Sequence, residues 1–305
     1  MSDHALVIGE ALVDVVHKPD GTQTAHAGGS PANVAFGLAR LDRRVELLTS
    51  LGDDAYGALV RSHVESSGAT IAPSSAAPRT SVATANLDAH GVATYDFDLE
   101  WALPDGPTTQ PGPLVVHTGS IAAVLEPGAS AVERLVAGAR KHATVTYDPN
   151  VRPSLMGDRG HAESTIERFV ALSDVVKVSD EDLSWLFPAE SPADAARRWL
   201  ALGPALVVVT LGSEGALAAC EAGTVSVPPV RVEVADTVGA GDSFMSGLID
   251  GLWSAGLLGG HRRDALRRID LPMVTTILDR CARIAGITVS RSGANPPTRA
   301  DLGES

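Results

Sequence analysis

The residues best suited to chemistry form one run, Asp236-Thr237-Val238-Gly239-Ala240-Gly241-Asp242-Ser243-Phe244. Extended sequence (VSVPPVRVEV) precedes it and a helical pattern (FMSGLIDGLWSAG) follows or overlaps its end. Small residues at a helix start let backbone N–H groups converge on an anion, and the helix dipole adds to the attraction. A carboxylate in the first turn, Asp242, then stands beside that anion. There it is placed to take a proton from a hydroxyl attacking a phosphoryl group. The plain alternative is a tight Gly-Ala-Gly turn with Asp242 as no more than a helix cap. Local chemistry leaves both open.

A second glycine-rich run reads Gly28-Gly29-Ser30-Pro31-Ala32-Asn33. Ser30 suits an N-cap, and Pro31 suits the first residue of a helix ending near Leu41. Paired glycines allow a ligand to approach the backbone closely. Asn33 carries both a donor and an acceptor, which suits a sugar hydroxyl. Taken alone, the run is explained more simply as a well-formed helix start with no ligand.

The elements that must hold these runs alternate regularly from residue 114 onward. LVVHTG (114–119), ATVTYDP (143–149), DVVKVS (174–179) and ALVVVTLG (205–212) are short apolar strands, with helical patterns between them at about 128–141, 161–172 and 192–202. The last of these opens on Ser191-Pro192 and closes at Gly203. Such alternation predicts a parallel sheet covered on both faces. The first third differs: SVATANLD (81–88) and VATYDFDL (92–99) flank Ala89-His90-Gly91 as an antiparallel hairpin, and residues 10–26 also read as extended. The expected organisation is one domain over 1–305, with segments 10–26 and 80–101 forming a small β lid. A lid would exclude water, itself a hydroxyl nucleophile, and its strand edges are expected to pair with a second copy in a homodimer. A loop with a short helix is expected over 254–270, and a loosely ordered tail after Asn295.

Composition narrows the classes. The 305 residues are 44% hydrophobic and 20% charged, an ordinary globular balance. A net charge of −13 disfavours nucleic acid and anionic membranes as partners. Cys220 and Cys281 lack metal-ligand spacing and read as reduced thiols. The N-terminus lacks a basic region, and no run of about 18 apolar residues occurs, so a cytoplasmic protein is expected. Lys18, Lys141 and Lys177 are the only lysines and none follows a glycine, which excludes a Walker A loop.

DTVGAGDSF and GGSPANVAFGLARL, in reverse chain order and far apart, resemble the two signatures of the phosphofructokinase-B carbohydrate kinase family. GEALVDVV, YDPNVRPSL and SRSGANPP are similar to its fructokinase-like branch, so the resemblance spans nearly the whole chain. It implies a ribokinase-like three-layer α/β/α sandwich with a central, mostly parallel sheet. It also implies phosphoryl transfer from ATP, as its Mg²⁺ complex, to a hydroxyl of a small sugar, with fructose at its 6-hydroxyl favoured. By the same resemblance Asp242 is the base, and the backbone of Gly239, Ala240 and Gly241 is the anion hole. Asp14, Gly28, Gly29, Asn33 and Arg152 match substrate-binding positions; Lys177, Thr210, Gly212, Ser213 and Gly215 match nucleotide-binding ones. An alternative for Arg152 is a salt bridge to Asp148 or another acid, and for Lys177 an edge lysine reaching solvent.

The family's Asn-x-x-Glu metal pattern is here Ser179-Asp180-Glu181-Asp182, which leaves Asp182 as the metal-linked carboxylate. Asp236, Val238 and Gly293 match the segments that hold a monovalent cation, K⁺, in many members. Other readings of the same chain are a kinase for 2-keto-3-deoxygluconate or another sugar acid, with Arg152 holding the carboxylate, or a ribokinase. From a different class comes a catalytically inactive sugar sensor, although such a protein need not retain both Asp242 and Gly-Ala-Gly. A nicotinamide dehydrogenase fits poorly, because Gly9-Glu10-Ala11-Leu12 follows the first strand where Gly-x-Gly-x-x-Gly is required.

Overall fold

The computed structural model describes residues 3–72, 77–87, 93–103 and 112–304. The chain begins with β1 (Ala5–Ile8), the hairpin β2 (Leu12–His17) and β3 (Gln23–Gly28), then α1 (Ser30–Arg40), β4 (Val45–Leu48), α2 (Ala55–Ser66) and β5 (Thr70–Ile71). A second hairpin, β6 (Val82–Leu87) and β7 (Ala93–Asp98), is followed by β8 (Val115–Gly119), α3 (Gly128–Ala139), β9 (Thr144–Asp148), α4 (Arg159–Leu172) and β10 (Val175–Ser179). Two helices, α5 (Asp180–Leu186) and α6 (Pro192–Leu200), lead to β11 (Leu206–Thr210), β12 (Ala216–Cys220) and β13 (Gly223–Val227). The chain closes with α7 (Ala240–Ser254), α8 (Arg263–Arg267) and α9 (Leu271–Val289).

Among the described residues, nine strands form the central sheet in the order β13-β12-β11-β10-β9-β8-β1-β4-β5. Its interior pairs are parallel, while β11–β12 and β12–β13 are antiparallel. The alternation of side chains along each strand sends one set to each face. Val7, Val115, Val175 and Val208 pack with α1, α2, α7 and α9. Val116, Val145, Val176 and Val207 pack with α3, α4, α5 and α6. Both faces are therefore covered, the arrangement that continuous apolar strands require. From β1 the order runs outward to β4 on one side and to β8 on the other. The switch point between β1 and β8 opens a crevice at the carboxyl ends of the strands.

The two segments set apart by their pattern are also apart in space. Strands β3-β2-β6-β7 form a separate four-stranded sheet. Each hairpin is antiparallel, and the two join through the parallel pair β2–β6. Ala89, His90 and Gly91 lie outside the described residues.

Helix α7 is buried all round, from Ser243 to Leu252, because it is wedged between α1 and α9. Glycines permit the close approach: a Cβ at Gly251 would lie 2.9 Å from Ile277 and one at Gly247 2.9 Å from Ile284. The tail departs from expectation. Far from loose, it forms a 3₁₀ turn at Ala300–Leu302 with Leu302 buried. Arg299 donates to Leu41 O and to Asp250, and Glu304 pairs with Arg280. A polar decapeptide gives no local hint of order, since its partners are charges on distant elements. Helix α9 and the antiparallel edge β12–β13 were likewise not singled out from the sequence. Among the described residues, no helix is long and apolar enough to cross a membrane.

Candidate active site

The two glycine-rich runs meet at one carboxylate. Ser30 Oγ donates to Asp242 Oδ1 at 2.6 Å, and Asn33 Nδ2 donates to Asp242 Oδ2 at 2.8 Å. Both helices start here: Asp242 is in the first turn of α7, and Ser30 and Asn33 are in the first turn of α1. Ser30 is therefore not the N-cap expected from its type. Gly29 takes that place, with φ 102°, where a Cβ would come within 2.5 Å of Glu10 O. The Ser30 hydroxyl, released from capping, serves Asp242 instead. Burial pushes the Asp242 carboxyl above its ordinary 3.8, while the Ser30 and Asn33 bonds hold it down.

The turn before Asp242 is shaped by Gly239, whose φ of 74° is left-handed. The first N–H groups of a helix lack partners within it. Ala240 N–H closes onto Thr237 O at 3.3 Å. Among the described residues, the N–H groups of Gly241 and Asp242 have no such partner. They are the donors this turn can offer to an anion.

On the small-sheet side, Asp14 sits in β2 opposite His26. A side chain at Gly28 would overlap the Asp14 carboxylate. Burial raises the Asp14 carboxyl, Arg152 lowers it, and the charge of Asp242 reaches it across the same crevice. Arg152 is exposed and folds back onto its own loop, donating from Nη1 to Asn150 Oδ1 at 2.8 Å and to the Asn150 and Val151 carbonyls. The salt bridge to Asp148 considered for it does not form. Asp148 pairs with Lys177, Nζ to Oδ2 at 2.9 Å, so Lys177 is no edge lysine either.

The strand ends place the remaining candidates. Asp148, Ser179 and Thr210 are the last residues of β9, β10 and β11; Ser179 and Thr210 are register partners, and β9 ends two residues lower, with Asp148 level with Lys177. Gly212 and Ser213 lie exposed on the 3₁₀ turn after β11, and Gly215 closes it through its carbonyl to Leu211 N–H. Asp182 is tied into the backbone on both oxygens. It forms a capping box with Ser179 at the start of α5, and its Oδ1 accepts from Val151 N–H at 3.0 Å. Asp236 accepts from Val238 N–H at 3.0 Å and from Gly293 N–H at 2.9 Å. Its carboxylate thus ties together the three residues assigned to one cation position.

Sequence reasoning passed over three features. Val230, Val232 and Val234 expose an apolar strip leading to Gly239; their alternation could have been read. Asp148 appeared only as a partner of Arg152. Glu10, just beyond β1, is buried at 4% exposure and accepts from Ala122 N–H. Burial raises its pKa to about 8, opposed chiefly by a hydrogen bond from Ser120.

That shift has a measurable consequence. A carboxyl raised in the folded state opposes folding once it ionises in the unfolded chain. Stability therefore falls as pH rises from the ordinary 4.5 towards about 8. Glu10→Gln keeps an acceptor and a donor without the charge, so the variant should gain stability relative to wild type across that window. Urea melts at pH 5 and pH 8.5 check this; an unchanged difference between the two pH values contradicts it.

Comparison with known proteins agrees with the geometry. The profile of the pfkB family carbohydrate kinases matches residues 2–299. A fructokinase from Rhizobium leguminosarum bv. trifolii is 35% identical over 265 residues, covering 83% of this chain and 81% of that protein. The fructokinase of Xylella fastidiosa, solved with bound ATP, superposes with a TM-score of 0.84 at 25% identity, over 99% of this chain and 98% of that one. A double mutant of the Vibrio cholerae O395 fructokinase, solved with fructose, ADP and potassium, superposes with a TM-score of 0.79 at 25% identity, over 99% and 97%. With its ribokinase-like α/β architecture and its two signatures joined at Asp242, the chain belongs to the pfkB family of carbohydrate kinases, phosphotransferases that act on a sugar hydroxyl.

Proposed function

We propose that the chain transfers the γ-phosphoryl group of ATP to a hydroxyl of fructose, with Asp242 as the base. The observation that supports this most is the pair of hydrogen bonds from Ser30 and Asn33 to Asp242, which puts an acceptor-side segment and an anion-binding turn in one crevice. The acceptor oxygen forms its bond to phosphorus as its proton passes to Asp242. The bond from phosphorus to the β–γ bridging oxygen breaks, releasing ADP. Backbone N–H groups of the Gly239–Asp242 turn face the charge that develops on the transferred group.

Asp14, with Gly28 and Gly29 beside it, holds sugar hydroxyls, and Arg152 borders the same pocket. Thr210, Gly212, Ser213 and Gly215 border the nucleotide, whose base has an apolar seat on Val230, Val232 and Val234. Magnesium arrives with ATP. Among the described residues, no group of three or more His, Cys, Asp or Glu side chains gathers into a metal centre. Mg²⁺ ordinarily rests on substrate phosphates, waters and one or two carboxylates. Asp182 fits as a partner through water, since both its oxygens already accept backbone N–H groups. The loops joined by Asp236 offer backbone carbonyls to K⁺.

Fructose is favoured by the fructokinase relatives and by an Arg152 already engaged with its own loop. The rival acceptor is a sugar acid whose carboxylate would draw Arg152 away. Measuring kcat/KM for fructose, ribose and 2-keto-3-deoxygluconate separates them. Fructose should be preferred, and Arg152→Met should slow every acceptor alike. A preference for the acid above about tenfold, ~1.4 kcal/mol, that Arg152→Met erases would overturn the fructose assignment.

A further inference from the structure

Lys177 lies within β10 and is 4% exposed. A buried ammonium is expensive without a partner, and Asp148 supplies one at 2.9 Å. Nζ also abuts Gly241: a Cβ built at 241 would lie 2.9 Å from Lys177 Nζ and 3.9 Å from its Cε. Gly241 is not among the residues with positive φ. Its backbone therefore accepts any residue, and the space above Lys177 is what excludes a side chain. The helix dipole does not explain the lysine, because a cation near an N-terminus opposes it.

We propose that Lys177, clamped by Asp148, is a positioning residue that supports the first turn of α7 from beneath, and that residue 241 is glycine to leave room for its ammonium. The inference rests on the reading of the Gly239–Asp242 turn as the phosphoryl-transfer site. A flexible lysine would swing away from a new methyl group. This one is held by an ion pair whose partner ends the neighbouring strand, so a methyl group at 241 must move the turn or break the pair. The turn carries both the N–H donors and Asp242, and near-attack geometry tolerates little displacement. The ammonium also favours the ionised form of Asp242, against the nearby charge of Asp148.

A double-mutant cycle on the full chain tests this. Methionine ends at the position of the lysine Cε, so Lys177→Met keeps the packing of the stem and removes the obstructing atom together with its charge. Gly241→Ala should lower kcat by about 30-fold or more, ~2 kcal/mol, and lower Tm, with the KM for ATP within about threefold. In a Lys177→Met background the same change should cost less than about threefold in kcat and leave Tm nearly unmoved. Lys177→Met leaves Asp148 buried without a partner, so the cycle is repeated with Asp148→Asn throughout. Additive effects in both backgrounds would overturn the proposal, as would a loss confined to the KM for ATP, which marks a direct phosphate contact. The melting temperatures report the coupling even if wild type phosphorylates no sugar tested. An active kinase without coupling, by contrast, leaves the functional reading intact and removes this one.

Discussion

Asp242→Asn should lower kcat with fructose by about 10²-fold or more, the usual scale for losing a positioned base, while ATP binding and the fold persist. The amide is nearly isosteric with the carboxylate and can still accept from Ser30, but it cannot take the acceptor's proton. It also turns an N–H₂ group towards the Asn33 amide unless one of the two rotates. Steady-state kinetics alongside a nucleotide titration separate lost chemistry from lost binding. Retention of more than about half of wild-type turnover would remove the base role. The pH dependence gives a second handle. Burial raises the Asp242 carboxyl above 3.8, so wild-type kcat/KM should decline, as pH falls, at a higher pH than an ordinary aspartate would set. Ser30→Ala removes a bond that favours the ionised form and should move that decline to higher pH still.

The largest loss of stability is expected from Asp250→Ala. Asp250 is fully buried on α7, eight residues along from Asp242 on the same helix. It pairs with Arg43 at 2.5 Å, Arg280 at 2.6 Å and Arg299 at 2.9 Å. Those arginines come from the loop after α1, from α9 and from the tail, so one carboxylate gathers three elements around α7. Removing it leaves three guanidinium groups facing one another, with Glu304 still paired to Arg280 and Arg299 and the exposed Asp42 to Arg299. Breaking a buried ion pair by deleting one partner costs about 3–5 kcal/mol. Urea unfolding should show a loss of that size at pH 7. Asp250→Asn, which keeps hydrogen-bond acceptance, should lose less. A change under about 1 kcal/mol, the scale of an exposed pair, would mean that solvent screens the cluster and that the tail is not held by it. The kinetic counterpart is a faster decline of activity on heating, since α7 carries the base.

The sequence by itself determined what depends on period and local chemistry. Apolar β-branched runs alternating with helical spacing required a parallel sheet covered on both faces, and β8 to β11 lie where those runs are. The mixed pattern of 10–26 and 80–99 kept them out of that sheet. DTVGAGDSF put a carboxylate in the first turn of a helix, because small residues and a left-handed Gly239 are properties of a few adjacent residues. Only the tertiary structure decided who meets whom. Ser30 looked like an N-cap, and its type alone favours that; a carboxylate 212 residues away takes its hydroxyl instead. Asp182 reads as metal-linked from its place in the run 179–182, and the fold adds that both its oxygens accept backbone N–H groups, those of Ser179 and Val151. Asp148 looked like a partner for Arg152, but the buried ammonium of Lys177 has the stronger need for a charge. The tail after Asn295 looked loose because nothing within it could hold it, and arginines drawn to Asp250 do so. In each case the local preference is worth about 1 kcal/mol, whereas a charge or polar group buried without a partner costs several. Burial is fixed only when the sheet and its helices close, so those pairings are legible only after folding.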